Sequence, residues 1–276
     1  MDTPAPEAHA TARPAYRGPA NLAGKIAIVT GGTQGLGEAI ARLFAERGAA
    51  GIVICGRNSD RGERVAAEVS AAWCPTVFVR ADLASVADCR KVVAKADERF
   101  GRVDALVNAA ALTDRGDIFD TTEQRYNEIF DVNVRSPFFL IQETVRIMRR
   151  EKIAGAIVNI QSMSGHGGQP HITAYCASKG ALATLTRNVA NSLLKFHIRV
   201  NGLNIGWADT PGEHAIQLRD GNPPDWLARA EPLQPFGRLI KPDDVSLLTV
   251  YLLSDAAEMV TGALIDFDQN VMGAYD

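Results

Sequence analysis

The sequence predicts an α/β protein in which seven parallel strands form one doubly wound sheet with helices on both faces. From Lys25 onward, short β-branched runs alternate with longer amphipathic stretches. Such alternation requires right-handed crossovers and buries a parallel sheet between helices. A glycine-rich turn also joins the first run to the first helix, and 276 residues with 46% hydrophobic content suffice for one large core.

Each predicted element follows from its apolar period and from the residues that end it. The first strand, Lys25–Thr30, is an apolar run that stops at glycine, and the first helix, Leu36–Arg47, stops at Gly48. The other strands are predicted at residues 51–55, 76–80, 103–108, 156–160, 198–203 and 263–267. The other helices are predicted at residues 61–71, 86–100, 134–150, 175–196 and 243–253.

One segment, Gly206–Gly237, interrupts this alternation and contains five prolines. It is predicted to be irregular. Because it follows the carboxyl end of a strand, where open α/β sheets bind ligands, it is expected to be a substrate lid. The competing interpretation is a surface excursion without function.

Residues 1–20 are rich in proline and alanine and are predicted to be a flexible arm, leaving residues 21–276 as the folded domain. The arm lacks the apolar centre of a secretory signal. No apolar run reaches membrane-spanning length, and the net charge of −3 contains no long basic block. The four cysteines form no CxxC pair. We therefore expect a cytoplasmic protein with reduced thiols and no nucleic-acid or membrane partner.

The turn after the first strand reads Thr30-Gly-Gly-Thr-Gln-Gly-Leu-Gly37. Glycine lets backbone N–H groups approach a phosphate, and a helix N-terminus supplies partial positive charge. A strand before and a helix after make dinucleotide binding on a Rossmann-type fold the favoured interpretation over a purely structural turn. The predicted coenzyme contacts in this turn are Gly31, Thr33, Gln34, Gly35, Leu36 and Gly37.

Five motifs in one order resemble those of the short-chain dehydrogenase/reductase family. The turn has that family's TGxxxGxG spacing, and Asn108-Ala-Ala-Ala111 stands where the family has Asn-Asn-Ala-Gly. Asn133 falls in an Asn-Val segment, Ile157–Ser162 resembles Ile-Val-Asn-Ile-Ser-Ser, and Tyr175–Lys179 matches Tyr-x-x-x-Lys. The resemblance runs from about residue 25 to residue 267.

The resemblance implies an oxidoreductase that interconverts an alcohol and a carbonyl compound, with Tyr175 as acid/base. Free tyrosine has a pKa near ~10, and an ammonium nearby lowers it. Tyr175 and Lys179 lie four apart on a predicted helix and so share a face. Lys179 is expected to lower the pKa of Tyr175 and hold the nicotinamide ribose, while Ser162 hydrogen-bonds the substrate oxygen. Asn133 is expected to hold a water near the lysine; alternatively, it satisfies backbone groups at a helix start.

The coenzyme is predicted to be NADP rather than NAD. Enzymes that prefer NAD usually carry an acid about twenty residues past the glycines. Here Arg57 stands in that neighbourhood and can pair with a 2′-phosphate. Against NADP, Gln34 stands where many NADP-preferring relatives carry a base. The resemblance implies that Asp82 and Leu83 border the adenine and that Asn108 belongs to the coenzyme site. Alternatively, Asp82 caps the next helix.

The candidate substrate residues are Ser162, His166, His171, Trp207, Glu213 and His214. Polar groups beside aromatic rings suit a sugar, a polyol or another polar hydroxy compound. A 3-oxoacyl or steroid substrate remains the alternative, as does a catalytically silent dinucleotide-binding regulator, which the intact motif residues oppose. Reduction of a carbon–carbon double bond ranks low, because such relatives usually have wider Tyr–Lys spacing.

The histidines lack metal-ligand spacing and no GxSxG elbow is present, which argues against zinc and hydrolase chemistry. The resemblance also implies a homotetramer.

Overall fold

The computed structural model describes residues 18, 20–71 and 74–273 and contains a seven-stranded parallel sheet in the order β3-β2-β1-β4-β5-β6-β7. The strands are β1 (Ile26–Thr30), β2 (Gly51–Gly56), β3 (Thr76–Arg80), β4 (Ala105–Asn108), β5 (Ala156–Ser162), β6 (Arg199–Ile205) and β7 (Leu264–Phe267). All six neighbouring pairs are parallel. The predicted fold class is confirmed, and the predicted arm at residues 1–20 lies almost entirely outside the described residues.

Successive side chains of a strand point to opposite faces of the sheet, so both faces of this buried parallel sheet are covered by helices. The helices are α1 (Gly35–Glu46), α2 (Ser59–Ala71), α3 (Val86–Phe100), α4 (Glu123–Phe130), α5 (Ser136–Arg150), α6 (Thr173–Leu193), α7 (Pro211–Arg219), α8 (Trp226–Ala230) and α9 (Pro242–Leu253). On one face, α1, α2 and α9 pack against residues such as Val29, Ile54 and Val107. On the other, α3, α5 and α6 pack against residues such as Ile28 and Leu106.

The prediction missed the helix before α5. Thr122 begins α4 by accepting a hydrogen bond from the N–H of Arg125. Between α4 and α5 lies one π-helical turn, Asp131–Arg135, in which the N–H of Ser136 bonds to the carbonyl of Asp131. The next residue, Pro137, has no N–H with which to continue the α-helical pattern. The single predicted helix at residues 134–150 is therefore α5 preceded by a π-turn.

The segment predicted to be irregular, Gly206–Gly237, is in fact largely helical. It holds α7, α8 and a 3₁₀ turn, Glu231–Leu233. Two of its five prolines stand at helix starts, Pro211 in the first turn of α7 and Pro232 in the 3₁₀ turn. Proline fits there because its missing N–H would have no helical partner. The prediction was wrong on this point.

The strand order reverses between β1 and β4, and the crevice outside their carboxyl ends is where open α/β sheets bind ligands. The glycine turn follows β1, and the segment after β5 leads into α6. Within the described part of the chain, none of the helices combines the length and apolar character that a membrane span requires.

Candidate active site

The ends of β1 and β4 are tied together by the buried hydroxyl of Thr30. It accepts hydrogen bonds from the N–H groups of Ala109 (3.0 Å) and Ala110 (3.1 Å). This brings the loop after β4 against Gly31, where a Cβ would stand 3.0 Å from the Cα of Ala110. Gly31 also has a φ of 65°, which favours glycine. The close approach therefore requires glycine at this position.

The turn and the start of α1 form a cradle suited to a phosphate. A Cβ on Gly37 would lie 2.4 Å from the carbonyl oxygen of Gly31, so only glycine lets the helix sit this close to the turn. The N-cap residue of α1, Gln34, makes no side-chain cap hydrogen bond, which leaves the first N–H groups of α1 without a side-chain acceptor. A helix N-terminus of this kind binds anions. These residues fit the pyrophosphate of a dinucleotide.

A cleft of about 500 Å³ extends from this cradle along the end of β2. Its walls include the six predicted turn residues together with Arg57, Asp82 and Leu83. Arg57 is exposed, and no ion pair is found for it among the described residues. Asp82 is not the helix cap, since Ser85 caps α3. Asn108 does not line this cleft: it is buried, and its Nδ2 donates to Asn159 Oδ1 (2.8 Å), so its coenzyme contact stays a prediction.

A second cleft of about 570 Å³ opens beside the first, over the ends of β5 and β6. The two share walls, including Leu36, Ala109 and Thr210, so they form one continuous crevice. Tyr175, Lys179 and Ser162 all line the second cleft. The structure thus brings the predicted pair and the predicted serine to the place where the crevice passes from the glycine cradle to the second cleft.

Tyr175 and Lys179 lie in a dry environment, with relative exposures of 8% and 2%. Burial raises the pKa of Tyr175, and hydrogen bonding to Ser162 and Thr113 opposes this without overcoming it. Burial also lowers the pKa of Lys179 from 10.5 to about 8. The Lys179 Nζ donates to the Ile160 carbonyl (3.0 Å) and lies 5.6 Å from the centre of the Tyr175 ring. In the described chain the effect of burial prevails and the pKa of Tyr175 is raised, so the expected lowering by Lys179 stays a prediction.

Ser162 ends β5, and its hydroxyl oxygen accepts a hydrogen bond from the N–H of Ser164 (3.1 Å). Its side chain is also hydrogen-bonded to Tyr175, which places the serine hydroxyl beside the phenol. The neighbouring hydroxyl of Ser164 is engaged, because it donates to Gln169 Oε1 (2.6 Å). Ser162 therefore lies beside Tyr175 while the Ser164 hydroxyl is held by Gln169, and the donation from Ser162 to a substrate oxygen stays a prediction.

Asn133 lies in the π-turn and is 1% exposed. Its Oδ1 accepts from the N–H of Leu112 (2.8 Å), while its Nδ2 donates to the Leu112 carbonyl and to Ser178 Oγ (both 3.0 Å). The side chain therefore joins the loop after β4 to α6, the helix of Tyr175. This matches the alternative interpretation, in which the asparagine satisfies backbone groups, and gives its side chain a positioning role.

The predicted substrate residues divide into two groups. Ser162, His171, Trp207 and Glu213 line the second cleft, whereas His166 and His214 do not. His166 faces Asp266 (2.9 Å), and His214 is held between Asp209 (2.8 Å) and the indole N–H of Trp226 (3.3 Å). The structure therefore does not bring these two histidines to the second cleft, and each ring contacts a neighbouring polar group instead.

Several cleft residues were not predicted from the sequence. Thr113 hydrogen-bonds Tyr175, and Arg115 pairs with Asp220 at the end of α7 (2.7 Å). The neighbouring Asp114 pairs with Arg219 (2.7 Å), so two ion pairs join the loop after β4 to α7. No motif marks these residues. A signal did exist for α7, since Thr210-Pro-Gly-Glu213 combines an N-cap threonine with proline at the first helical position.

A doubly wound sheet with a phosphate cradle and a buried Tyr–Lys pair at its switch point defines a class of dinucleotide-dependent oxidoreductases. A protein-family model described as Enoyl-(Acyl carrier protein) reductase matches residues 31–269. The chain belongs to the short-chain dehydrogenase/reductase family, whose members are NAD(P)-dependent oxidoreductases.

Three similar proteins illustrate this membership. Galactitol 2-dehydrogenase of Agrobacterium fabrum is 32% identical, over 90% of this chain and 97% of that protein. The NADP-dependent (R)-specific alcohol dehydrogenase of Lentilactobacillus kefiri is 33% identical, over 88% and 94%. A solved short-chain type dehydrogenase/reductase from Mycobacterium marinum superposes with a TM-score of 0.83 at 29% identity, covering 92% of this chain and 98% of that one.

Proposed function

We propose that the protein interconverts a secondary alcohol and a ketone with a nicotinamide coenzyme, using Tyr175 as the acid/base. The observation that carries the proposal is the buried Tyr175 hydroxyl, which lines the cleft beside the glycine cradle with Lys179 one helical turn away. Alcohol dehydrogenases among the relatives, one acting on galactitol, support the same reaction class.

The proposed mechanism assigns one task to each side chain. The bound coenzyme would supply or accept the hydride. Tyr175 would donate a proton to the substrate oxygen during reduction and remove it during oxidation. Ser162 would donate a hydrogen bond to the same oxygen as negative charge develops. Lys179 and Asn133 hold the geometry, the first on the end of β5 and the second between α6 and the loop after β4.

The test of the mechanism is Tyr175→Phe, which removes one oxygen and keeps the ring. We expect turnover to fall at least about 100-fold while coenzyme binding, followed by nicotinamide fluorescence, is kept. Tyr251→Phe is the matched control, since Tyr251 is a half-exposed tyrosine on α9 and not among the residues of the cleft. Activity close to that of the unaltered enzyme in Tyr175→Phe would refute the proposal.

We propose NADP as the preferred coenzyme. Support comes from the exposed guanidinium of Arg57 on the wall of the first cleft and from the absence of a carboxylate at the end of β2. A 2′-phosphate would accept two hydrogen bonds from such a group. Arg57→Ala is expected to weaken NADP binding at least about tenfold with little effect on NAD. Arg64→Ala, on the exposed side of α2, is the control. Equal loss for both coenzymes would contradict this preference.

We propose a polar, polyhydroxylated substrate. The second cleft carries Gln169, Glu213, Gln217, Asp268 and Asn270 beside the ring of Trp207. Such a wall offers many hydrogen-bonding groups to the hydroxyls of a substrate. Galactitol, sorbitol and their ketoses are the first compounds to test with each coenzyme, against a sterol and a 3-oxoacyl thioester. Turnover confined to the sterol or the thioester would refute the substrate class.

We propose that the subunits form a homotetramer. Large apolar side chains stand exposed on α9 and along the chain after it: Leu247 (55%), Met259 (89%), Val271 (77%) and Met272 (53%). Large apolar side chains exposed in this way are typical of a subunit interface. Light scattering coupled to size-exclusion chromatography should give four times the 29.6 kDa chain mass. A monomeric mass would contradict the assembly and leave the proposed chemistry untouched.

A further inference from the structure

The carboxylate of Glu213 is held in the wall of the second cleft in a fixed orientation. Thr210 and Glu213 have the spacing of a capping box, and the Thr210 hydroxyl accepts from the Glu213 N–H (3.1 Å). The Glu213 side chain does not close the box. Instead its Oε1 accepts from the indole N–H of Trp207 (2.8 Å) and from Gln217 Nε2 (2.6 Å). Among the described residues no hydrogen bond is found to Oε2.

The negative charge of Glu213 is not neutralised by the groups around it. In the described part of the chain, no ion pair is found for Glu213 or for Asp268, the second carboxylate of the cleft. Of the cations of the wall, Arg115 is paired with Asp220 (2.7 Å), whereas Lys179 donates to the neutral Ile160 carbonyl (3.0 Å) and keeps its charge. His171 is the only other wall residue able to carry positive charge among those described. Two unpaired carboxylates, Glu213 and Asp268, therefore outnumber the one unpaired ammonium of Lys179, and the wall keeps an excess of negative charge with free carboxylate lone pairs.

We infer that Glu213 is a specificity-determining residue that accepts hydrogen bonds from the hydroxyls of a neutral polyol and rejects substrates bearing a carboxylate or phosphate near the reacting carbon. The inference rests on the proposed function and names the substrate class of the same site. A half-buried carboxylate without a cation is costly, and hydroxyl donors offset that cost. An anion in the same half-dry cleft meets uncompensated repulsion.

The position of Glu213 makes this selection effective close to the reaction. It lines both clefts, and its charge contributes to raising the pKa of Tyr175, so it lies within electrostatic reach of the reacting groups. Its two donors fix Oε1 and leave Oε2 for a ligand, so a substrate hydroxyl can bind without displacing a protein contact.

The test compares a hexitol with the hexonate of the same carbon skeleton, galactitol with galactonate, in the unaltered enzyme and in Glu213→Gln. The unaltered enzyme should prefer the hexitol. Glu213→Gln keeps the shape and removes the charge, and it should lower the ratio of kcat/KM for hexitol over hexonate roughly tenfold, chiefly through a lower KM for hexonate. Glu123→Gln, an exposed acid at the start of α4, is the matched control and should leave the ratio unchanged.

Asp268→Asn provides a second, independent variant and should move the ratio in the same direction, so the inference remains testable if Glu213→Gln does not fold. An unchanged ratio in the folded variants, a native preference for hexonate, or turnover of neither compound would overturn the inference. Failure of the proposed function has a different signature, because Tyr175→Phe would then retain turnover of whichever substrate is used.

Discussion

Replacement of Lys179 by methionine should stabilise the folded protein at neutral pH while removing its activity. The lysine is fully buried, and its charged form is disfavoured there, with a pKa lowered from 10.5 to about 8. Methionine has a similar length and carries no charge. The variant therefore tests whether the site retains a destabilising ammonium for the sake of its chemistry.

The magnitude follows from the two pKa values. Their separation corresponds to about 3 kcal/mol of unfavourable free energy when the lysine is charged in the folded state. The variant also loses the hydrogen bond from Lys179 to the Ile160 carbonyl, worth about 1 kcal/mol. The net expectation below pH 8 is a gain of about 2 kcal/mol, or a rise in Tm of roughly 5 °C for a chain of this size.

The stability advantage of Lys179→Met depends on pH. Between the folded pKa of about 8 and the unfolded value of 10.5, the unfolded chain binds more protons at Lys179, so the native enzyme becomes more stable as pH rises. The advantage of Lys179→Met should therefore shrink from pH 7 to pH 10. The assay is thermal unfolding at both pH values, with the difference between variant and native Tm as the readout.

Lys91→Met is the matched control, because Lys91 also donates to a backbone carbonyl, that of Arg80 (3.1 Å), from an exposed position. It should show no pH-dependent gain. A Lys179→Met variant that is less stable than the native protein at pH 7, or whose Tm difference is the same at pH 10, would refute the argument that burial penalises this ammonium.

Three further predictions concern the cradle, the lid and the asparagine. Gly37→Val should abolish coenzyme binding in a fluorescence titration, because its Cβ would lie 2.4 Å from the Gly31 carbonyl oxygen; tight binding would contradict the cradle. Asp220→Asn should raise the hydrogen exchange of residues 206–237 and the substrate KM, because it weakens the ion pair with Arg115 (2.7 Å). Unchanged hydrogen exchange would contradict a lid held by this pair. Asn133→Ala should lower the free energy of unfolding by about 2–4 kcal/mol in denaturant titration, since it removes three hydrogen bonds, one buried and two partly buried. A neutral effect would contradict its positioning role.

The strands could be predicted well because each has a strong local signal. Buried parallel strands are continuous apolar runs, and every predicted strand overlaps the observed one with ends that differ by two residues at most. The errors fell where local signals were weak or misinterpreted. The helix α4 has a low apolar content, and only Ile129 of its residues is buried. The prolines of residues 206–237 were taken as signs of irregular structure, although Thr210 and Pro211 together mark a helix start.

The site could be predicted only as far as its motifs extend. Tyr175, Lys179 and Ser162 were found because, together with the glycine turn, they stand in the order of the motifs of the short-chain dehydrogenase/reductase family. The direction of a loop histidine depends on distant partners instead. His166 turns to Asp266, one hundred residues later in the chain, and no spacing in the sequence announces this pair. The same holds for Thr113 and Arg115, which enter the cleft because Thr30 draws the loop after β4 toward β1.

The pKa of Tyr175 shows why spacing alone cannot fix the chemistry. Four residues along a helix place the ammonium near the phenol, but the same burial that brings them together disfavours charge on both. In the chain itself, burial raises the pKa of Tyr175 and lowers that of Lys179 to about 8. The phenol therefore stays protonated at neutral pH, which is the state that donates a proton to a ketone oxygen. Alcohol oxidation needs the deprotonated state and so gains from higher pH, and the two directions of the proposed reaction should have different pH optima.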